Sequence, residues 1–318
     1  MLDKKRLSAL LAVCTALVLH VPRPVGVQAE QLPDVRELTY TWRGYQIYYR
    51  TAGGIERGDE ASAPPVIFVH GFGASSFAWR HNLTVLAEQH KVVAPDLLGF
   101  GKSDKPRIEY SPEVWVNLVH EFARAQGYQK VTLVGNGLGG LLAAQFVLKF
   151  PDNVDKLVLV DALGLSYNLP RVQRLFTTPV IADPAFRLLF KPGNVARILR
   201  SRIYADGSKV TDEVVEGYYR PFLSPGAIDA YRYVGRRIFQ WKLGERFKEI
   251  RVPTLIVWGE DDRITSIEDA VELNNLIPHS TIVAIPGTGH CPQEESPEQF
   301  NEILIRYLRR PSGASTAE

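Results

Sequence analysis

Residues 133–140 read Leu133-Val134-Gly135-Asn136-Gly137-Leu138-Gly139-Gly140, a glycine-crowded junction between two apolar segments. Upstream, Lys130–Val134 is a β-branched run suited to a buried strand; downstream, Leu141–Lys149 is apolar enough for a buried helix. A strand that passes straight into a helix must bend sharply. A Cβ at Gly135 or Gly139 is expected to collide with the neighbouring strand or helix. Gly137 stands at the crest, where the backbone takes positive φ, so glycine removes a penalty of roughly 1–2 kcal/mol. A turn of this kind belongs to a sheet with helices on its faces, and it places residue 137 at the sheet's carboxyl edge.

The same turn with a reactive side chain at its crest is a nucleophile elbow, usually G-x-S-x-G. Here the scaffold is complete and the attacking atom is missing. The window starting at Gly135 also satisfies G-x-G-x-x-G, and Asp161, ending Lys156–Val160, stands roughly 20 positions on, where a dinucleotide-binding turn needs an acid. Spacing alone leaves that rival open.

Three more constellations weigh against it. Pro64–Val69 is a buried strand running into His70-Gly71-Phe72-Gly73. Pro253–Trp258 ends in Gly259-Glu260-Asp261-Asp262, and Ser280–Ile285 leads into Gly287-Thr288-Gly289-His290-Cys291-Pro292. The order elbow, acid, base is that of one hydrolase superfamily and differs from the orders of chymotrypsin-like and subtilisin-like proteins.

With His70-Gly71-Phe72-Gly73-Ala74-Ser75-Ser76, Asp96-Leu97-Leu98-Gly99-Phe100-Gly101-Lys102-Ser103-Asp104 and Gly289-His290-Cys291-Pro292, the chain resembles the capped esterase, epoxide hydrolase and haloalkane dehalogenase group of the α/β-hydrolase superfamily. The resemblance spans roughly residues 37–310. It implies a mostly parallel eight-stranded sheet with helices on both faces and an inserted helical lid. It also implies His290 as general base, Asp262 as its carboxylate with Asp261 the neighbouring alternative, and the backbone amides of Phe72 and Leu138 as an oxyanion hole. The lead-in Val134-Gly135-Asn136 is most similar to the esterase branch of photosynthetic organisms, dephytylating enzymes included. Relatives with epoxide or haloalkane substrates use aspartate at the elbow, so Gly137 does not disclose which nucleophile an active relative carries.

At 318 residues, 45% hydrophobic and 23% charged, the chain can bury a large core. Around Arg43-Gly44, Glu37–Trp42 and Tyr45–Arg50 alternate as a hairpin does. Strands and helices then alternate to Val160, the rhythm of a parallel sheet. It stops after Asp161 for about eighty residues and resumes at Pro253, a span this fold can place only as an insertion. The expected organisation is a signal peptide at 1–29, core at 30–163 and 248–310, a helical lid at 164–247 and a polar tail at 311–318. The lid carries Phe176, Phe186, Phe190, Tyr204, Tyr218, Tyr219, Tyr231, Tyr233, Phe239 and Trp241, most of them expected in its own core and a minority facing an apolar pocket.

Lys4-Lys5-Arg6 precede the apolar run Leu7–Val21, and Val27-Gln28-Ala29 offers small residues for cleavage, the pattern of an export signal. The run is 15 residues, short of the roughly 20 that span a bilayer. Export to periplasm, lumen or exterior is expected, with anchoring by residues 7–21 as the alternative and membrane association only in that case. A lipidated Cys14 fits poorly because Val13 precedes it. Cys291 then stays alone, without an intramolecular disulfide. Removing the segment leaves the chain near net −1, which does not suggest nucleic acid. The seven histidines show no metal-ligand spacing, and no metal or cofactor is expected.

Loss of the nucleophile from such a triad costs on the order of a million-fold and leaves roughly 10³–10⁴ over water from the oxyanion hole and binding. Ordinary acyl-enzyme turnover is therefore excluded. Three readings remain: His290 activating a water in the space a side chain leaves, on a hydrophobic ester-like substrate; a non-catalytic homologue binding a small apolar ligand or a protein partner; or a nucleophile replaced deliberately. Ser75 and Ser76 lie beyond the oxyanion turn and are expected to cap the following helix.

Overall fold

The computed structural model describes residues 34–54, 63–165 and 191–311. The N-terminal segment, the greater part of the first third of the expected lid, including Phe176, Phe186 and Phe190, and the polar tail after residue 311 lie outside the described residues.

β1 (Arg36–Trp42) and β2 (Tyr45–Ala52) form an antiparallel hairpin. Its two-residue turn has positive φ at both Arg43 (50°) and Gly44 (88°), the mirror-image turn whose twist matches that of the strands. β3 (Val66–Val69), β4 (Val92–Pro95), β5 (Val131–Asn136), β6 (Val154–Val160), β7 (Thr254–Gly259) and β8 (Ser280–Ile285) follow, giving one eight-stranded sheet in the order β1-β2-β4-β3-β5-β6-β7-β8. All pairings from β4 through β8 are parallel.

Alternate side chains of the central strands enter two separate cores. Ile67, Val69, Leu133, Leu157, Leu159, Ile256 and Trp258 face one; Val66, Phe68, Val134, Val158, Val160, Leu255 and Val257 face the other. A sheet buried on both faces explains why these strands read as continuous apolar runs. α1 (Arg80–Leu86), entered through a 3₁₀ turn at Ser76–Trp79, covers one face with the C-terminal helix. On the other face lie α2 (Pro112–Ala125), capped by Ser111, and α3 (Leu138–Lys149). α3 starts at Leu138, three residues before the span expected from apolar periodicity, because the turn at Gly137 is tight enough for helical bonding to begin at once.

Between β6 and β7 the described residues form α4 (Pro192–Ile198), running into a π-turn at Leu199–Ile203, then α5 (Asp212–Tyr219), capped by Thr211, and α6 (Ala227–Gly235). Val195, Leu199, Tyr204, Val214 and Tyr218 make a third core with Ala74, Ala78 and Cys291, so this segment packs on the loops at the sheet's carboxyl edge. α7 (Ile267–Leu276), α8 (Pro292–Glu295) and α9 (Pro297–Leu308) complete the chain.

Candidate active site

β5 ends at Asn136, and the crest residue Gly137 has φ 55° and ψ −115°, a conformation that side-chain-bearing residues adopt only under strain. The turn closes against its neighbours: a Cβ on Gly139 would meet Val69 O at 2.0 Å, and one on Gly135 would meet Gly139 O at 2.2 Å. These two glycines let strand, turn and helix interpenetrate.

His290 follows β8 and turns its ring toward the crest, its Nε2 2.9 Å from the position of a Cβ on Gly137. The other ring nitrogen, Nδ1, lies 2.8 Å from Asp262 Oδ2. Asp262 also accepts from Thr265 Oγ1 at 2.5 Å and from the Ile264 amide at 2.7 Å. Burial pushes the Asp262 carboxyl up, but the facing imidazole and these donors outweigh it and hold the group below its usual range. Asp261, the alternative acid, is exposed and its amide bonds to Thr288 O. The charge partner of His290 is thus Asp262.

The histidine loop is fixed from three sides. Asn136 Nδ2 donates to His290 O at 2.9 Å and to Val160 O at 3.2 Å, tying the elbow strand to the histidine loop. Glu295 takes the Gly289 amide on Oε1 at 2.6 Å and the Ala205 amide on Oε2 at 2.7 Å, and His290 N donates to Ile203 O at 2.7 Å.

His70 holds the opposite loop. Its Nε2 accepts from the Leu97 amide at 3.0 Å, so Nδ1 carries the proton and donates to Gly71 O at 2.8 Å. Complete burial keeps this imidazole below its ordinary range, hence neutral. Asp96 braces the same loops through the Ser76 and Lys102 amides at 2.6 and 2.7 Å. Ser75 Oγ caps the 3₁₀ turn by accepting from Phe77 N at 3.3 Å, and Ser75 and Ser76 line a different hollow from His290.

Phe72, Leu138 and His290 border one cavity of about 350 Å³ with Leu199, Tyr231 and Phe239. Leu138 opens α3, so its amide has no carbonyl partner within the helix and is available to an anion at the helix N-terminus. Of the aromatic residues expected in the insertion, Tyr204, Tyr218 and Tyr231 are buried, and Tyr218 and Tyr231 also contribute to the wall with Phe239. Tyr218 Oη donates to Glu294, which is paired in turn with Arg80.

Asp161 is fully buried at the end of β6, its Oδ1 accepting the Gly259 amide at 3.0 Å. A carboxylate so enclosed cannot reach a ribose, which removes the dinucleotide reading. Asp161, Asn136, Thr265 and Glu295 are site residues that the sequence reading did not assign. Asp161 was visible there only as the acid of a rival motif; the others carry no local signal.

A histidine and its carboxylate partner on the loops after β8 and β7, opposite a strained turn after β5, have the layout of a hydrolase site on a doubly covered sheet. The chain belongs to the α/β-hydrolase fold family, whose model matches residues 64–297. It is 32% identical over 269 residues to the 2-hydroxy-6-oxo-2,4-heptadienoate hydrolase of Pseudomonas putida, covering 81% of this chain and 94% of that one. It is 28% identical over 300 residues to the 2-hydroxy-6-oxo-6-(2'-aminophenyl)hexa-2,4-dienoic acid hydrolase of Metapseudomonas resinovorans, covering 91% and 98%. Among solved structures, a meta-cleavage product hydrolase from Pseudomonas fluorescens IP01 superposes with a TM-score of 0.73 at 25% identity, over 85% of this chain and 97% of that one.

Proposed function

We propose that the protein is a hydrolase for a hydrophobic, ester-like carbonyl substrate, working by general-base activation of water because residue 137 offers no nucleophile. His290 Nε2 removes a proton from water as the oxygen attacks the carbonyl carbon. The oxyanion forms against the Phe72 and Leu138 amides, and the imidazolium returns its proton to the leaving group as the tetrahedral intermediate collapses. Asp262 keeps the proton on Nδ1 in the resting state and stabilises the charged ring.

The observation that carries this reading is the intact dyad: Nδ1 sits 2.8 Å from Asp262 while Nε2 faces the bare crest. The position of a Cβ on residue 137 is already at hydrogen-bonding distance from Nε2. A water bound to Nε2 therefore stands further into the cavity than the first atom of a side chain would. The apolar wall favours an apolar acyl or aryl group.

A second reading, a non-catalytic homologue holding an apolar ligand or a protein partner, is favoured by Gly137 itself. The two separate on aryl esters of increasing acyl length and on 2-hydroxy-6-oxo-dienoates, comparing the unaltered protein with His290→Ala. Turnover that the variant loses, without an acyl adduct in the mass spectrum, supports water activation; equal rates reject it and leave binding.

A further inference from the structure

The general base of the proposed reaction leaves one buried acid beside it unused. Asp161 is 0% exposed, and its backbone has φ 44°, one of two non-glycine residues with positive φ among the described residues. The other, Arg43, sits in an exposed hairpin turn. A left-handed residue buried at a strand end is strained and persists where its surroundings fix it.

The two carboxyl oxygens have different fates. Oδ1 accepts the Gly259 amide, while Oδ2 is enclosed without a hydrogen-bond donor. Asp262 is its neighbour: Asp161, Asp262 and His290 each bring one side-chain oxygen or nitrogen within 4.8 Å of the other two, and the Asp161 and Asp262 carboxyls lie within hydrogen-bond reach of each other. Two carboxylate oxygens facing each other out of water repel, and one proton between them turns the repulsion into a hydrogen bond. Asp262 is already committed to the charged form by His290, Thr265 and the Ile264 amide, so the proton belongs to Asp161.

We propose that Asp161 is a positioning residue of the His290–Asp262 pair: as a neutral carboxylic acid, it donates a hydrogen bond from Oδ2 to Asp262 and holds that carboxylate in line with Nδ1. The proton remains on Asp161 throughout. Burial, followed by the charge of Asp262, pushes the Asp161 carboxyl well above the usual range, with Glu295 adding in the same sense and the Gly259 amide opposing. The groups facing it are Gly259 and Asp262 on the β7 side, Thr265 beyond it, and His290, Cys291 and Glu295 on the β8 side. The acid makes Asp262 a four-donor carboxylate, after His290, Thr265 and the Ile264 amide, without placing a second negative charge beside the imidazole.

The idea deepens the general-base reading but is tested without turnover, in the full chain with ¹³C-carboxyl aspartate and ¹⁵N-histidine. One aspartate carboxyl signal is expected to stay in its protonated position at neutral pH and to vanish in Asp161→Asn. The low-field proton of the Nδ1–H bond is expected in the unaltered chain and in Asp161→Asn, whose amide replaces both contacts, and to be lost in Asp161→Ala. Any ester turnover should survive in Asp161→Asn and fall about tenfold or more in Asp161→Ala, the scale of one hydrogen bond to a charged group. An Asp161 signal that titrates with ordinary carboxylates overturns the proposal, as does a Nδ1–H signal unchanged in a folded Asp161→Ala. Should that variant not fold, the carboxyl signal of the unaltered chain decides. Absent turnover with both signals in place would reject water activation and leave the role of Asp161 standing.

Discussion

His290 Nε2 lies 2.9 Å from the point a Cβ on Gly137 would occupy, closer than real Cβ atoms come to a ring. The imidazole has settled into ground that a nucleophile would hold. Restoring the nucleophile therefore asks for two adjustments, a ring displacement of a few tenths of an ångström and a side chain on a backbone at φ 55°.

Gly137→Ser is expected to lower stability by about 1–2 kcal/mol in denaturant unfolding, the penalty of a side chain at this φ. It is also expected to gain a covalent adduct with a fluorophosphonate, read by intact mass, where the unaltered chain gains none. A stable, unlabelled serine variant would show that the ring does not move back into register with residue 137.

Gly139→Ala meets backbone in place of a movable side chain, with Val69 O at 2.0 Å and His70 O at 2.8 Å from the new Cβ. Separation of α3 from β3 is the only relief, so a loss of about 4 kcal/mol or more is expected. Thermal unfolding of purified protein measures it; a near-normal melting point would mean that the elbow is not packed as described.

Arg80→Met removes the counter-charge of Glu294, whose side chain is 0% exposed. One buried partner left behind costs about 3–5 kcal/mol. Because Tyr218 also leans on Glu294 and lines the cavity, this variant should lose ligand or substrate affinity together with stability.

Stability should depend on pH through Asp161 in a definite sense. Its folded pKa is raised, so above the unfolded value, near 3.9, the native state binds more protons than the unfolded chain and stability falls as pH rises. The slope is limited to about 1.4 kcal/mol per pH unit for one group. Asp161→Asn lacks this contribution, so its stability relative to the unaltered protein should improve between pH 4 and pH 7, a span of about three units over which chemical denaturation at matched salt gives the comparison. A difference independent of pH would assign Asp161 an ordinary ionised state.

The elbow, the eight strands and the loops that carry Asp262 and His290 were legible because each is a local pattern: glycines at fixed offsets, β-branched runs, a Gly-x-Gly before His290. The choice between Asp261 and Asp262 was not, since it depends on which carboxylate the loop after β7 turns inward. Asn136 and Glu295 were invisible for a related reason. Their partners, His290 O and the Ala205 amide, are 154 and 90 residues away, and such contacts leave no periodicity. The 3₁₀ start of α1 at Ser76–Trp79 likewise reflects packing of Trp79 against Phe68 and Phe300, at ring separations of 4.8 and 6.3 Å.

The π-turn at Leu199–Ile203 holds the main chain of His290 through Ile203 O, and Glu295 joins the next residues to Gly289. The roof of the cavity and the imidazole of His290 beneath it are consequently tied together. A change that displaces this roof therefore pulls on His290 through the Ile203 and Glu295 bonds, against the hold that Asn136 keeps on the same residue from β5.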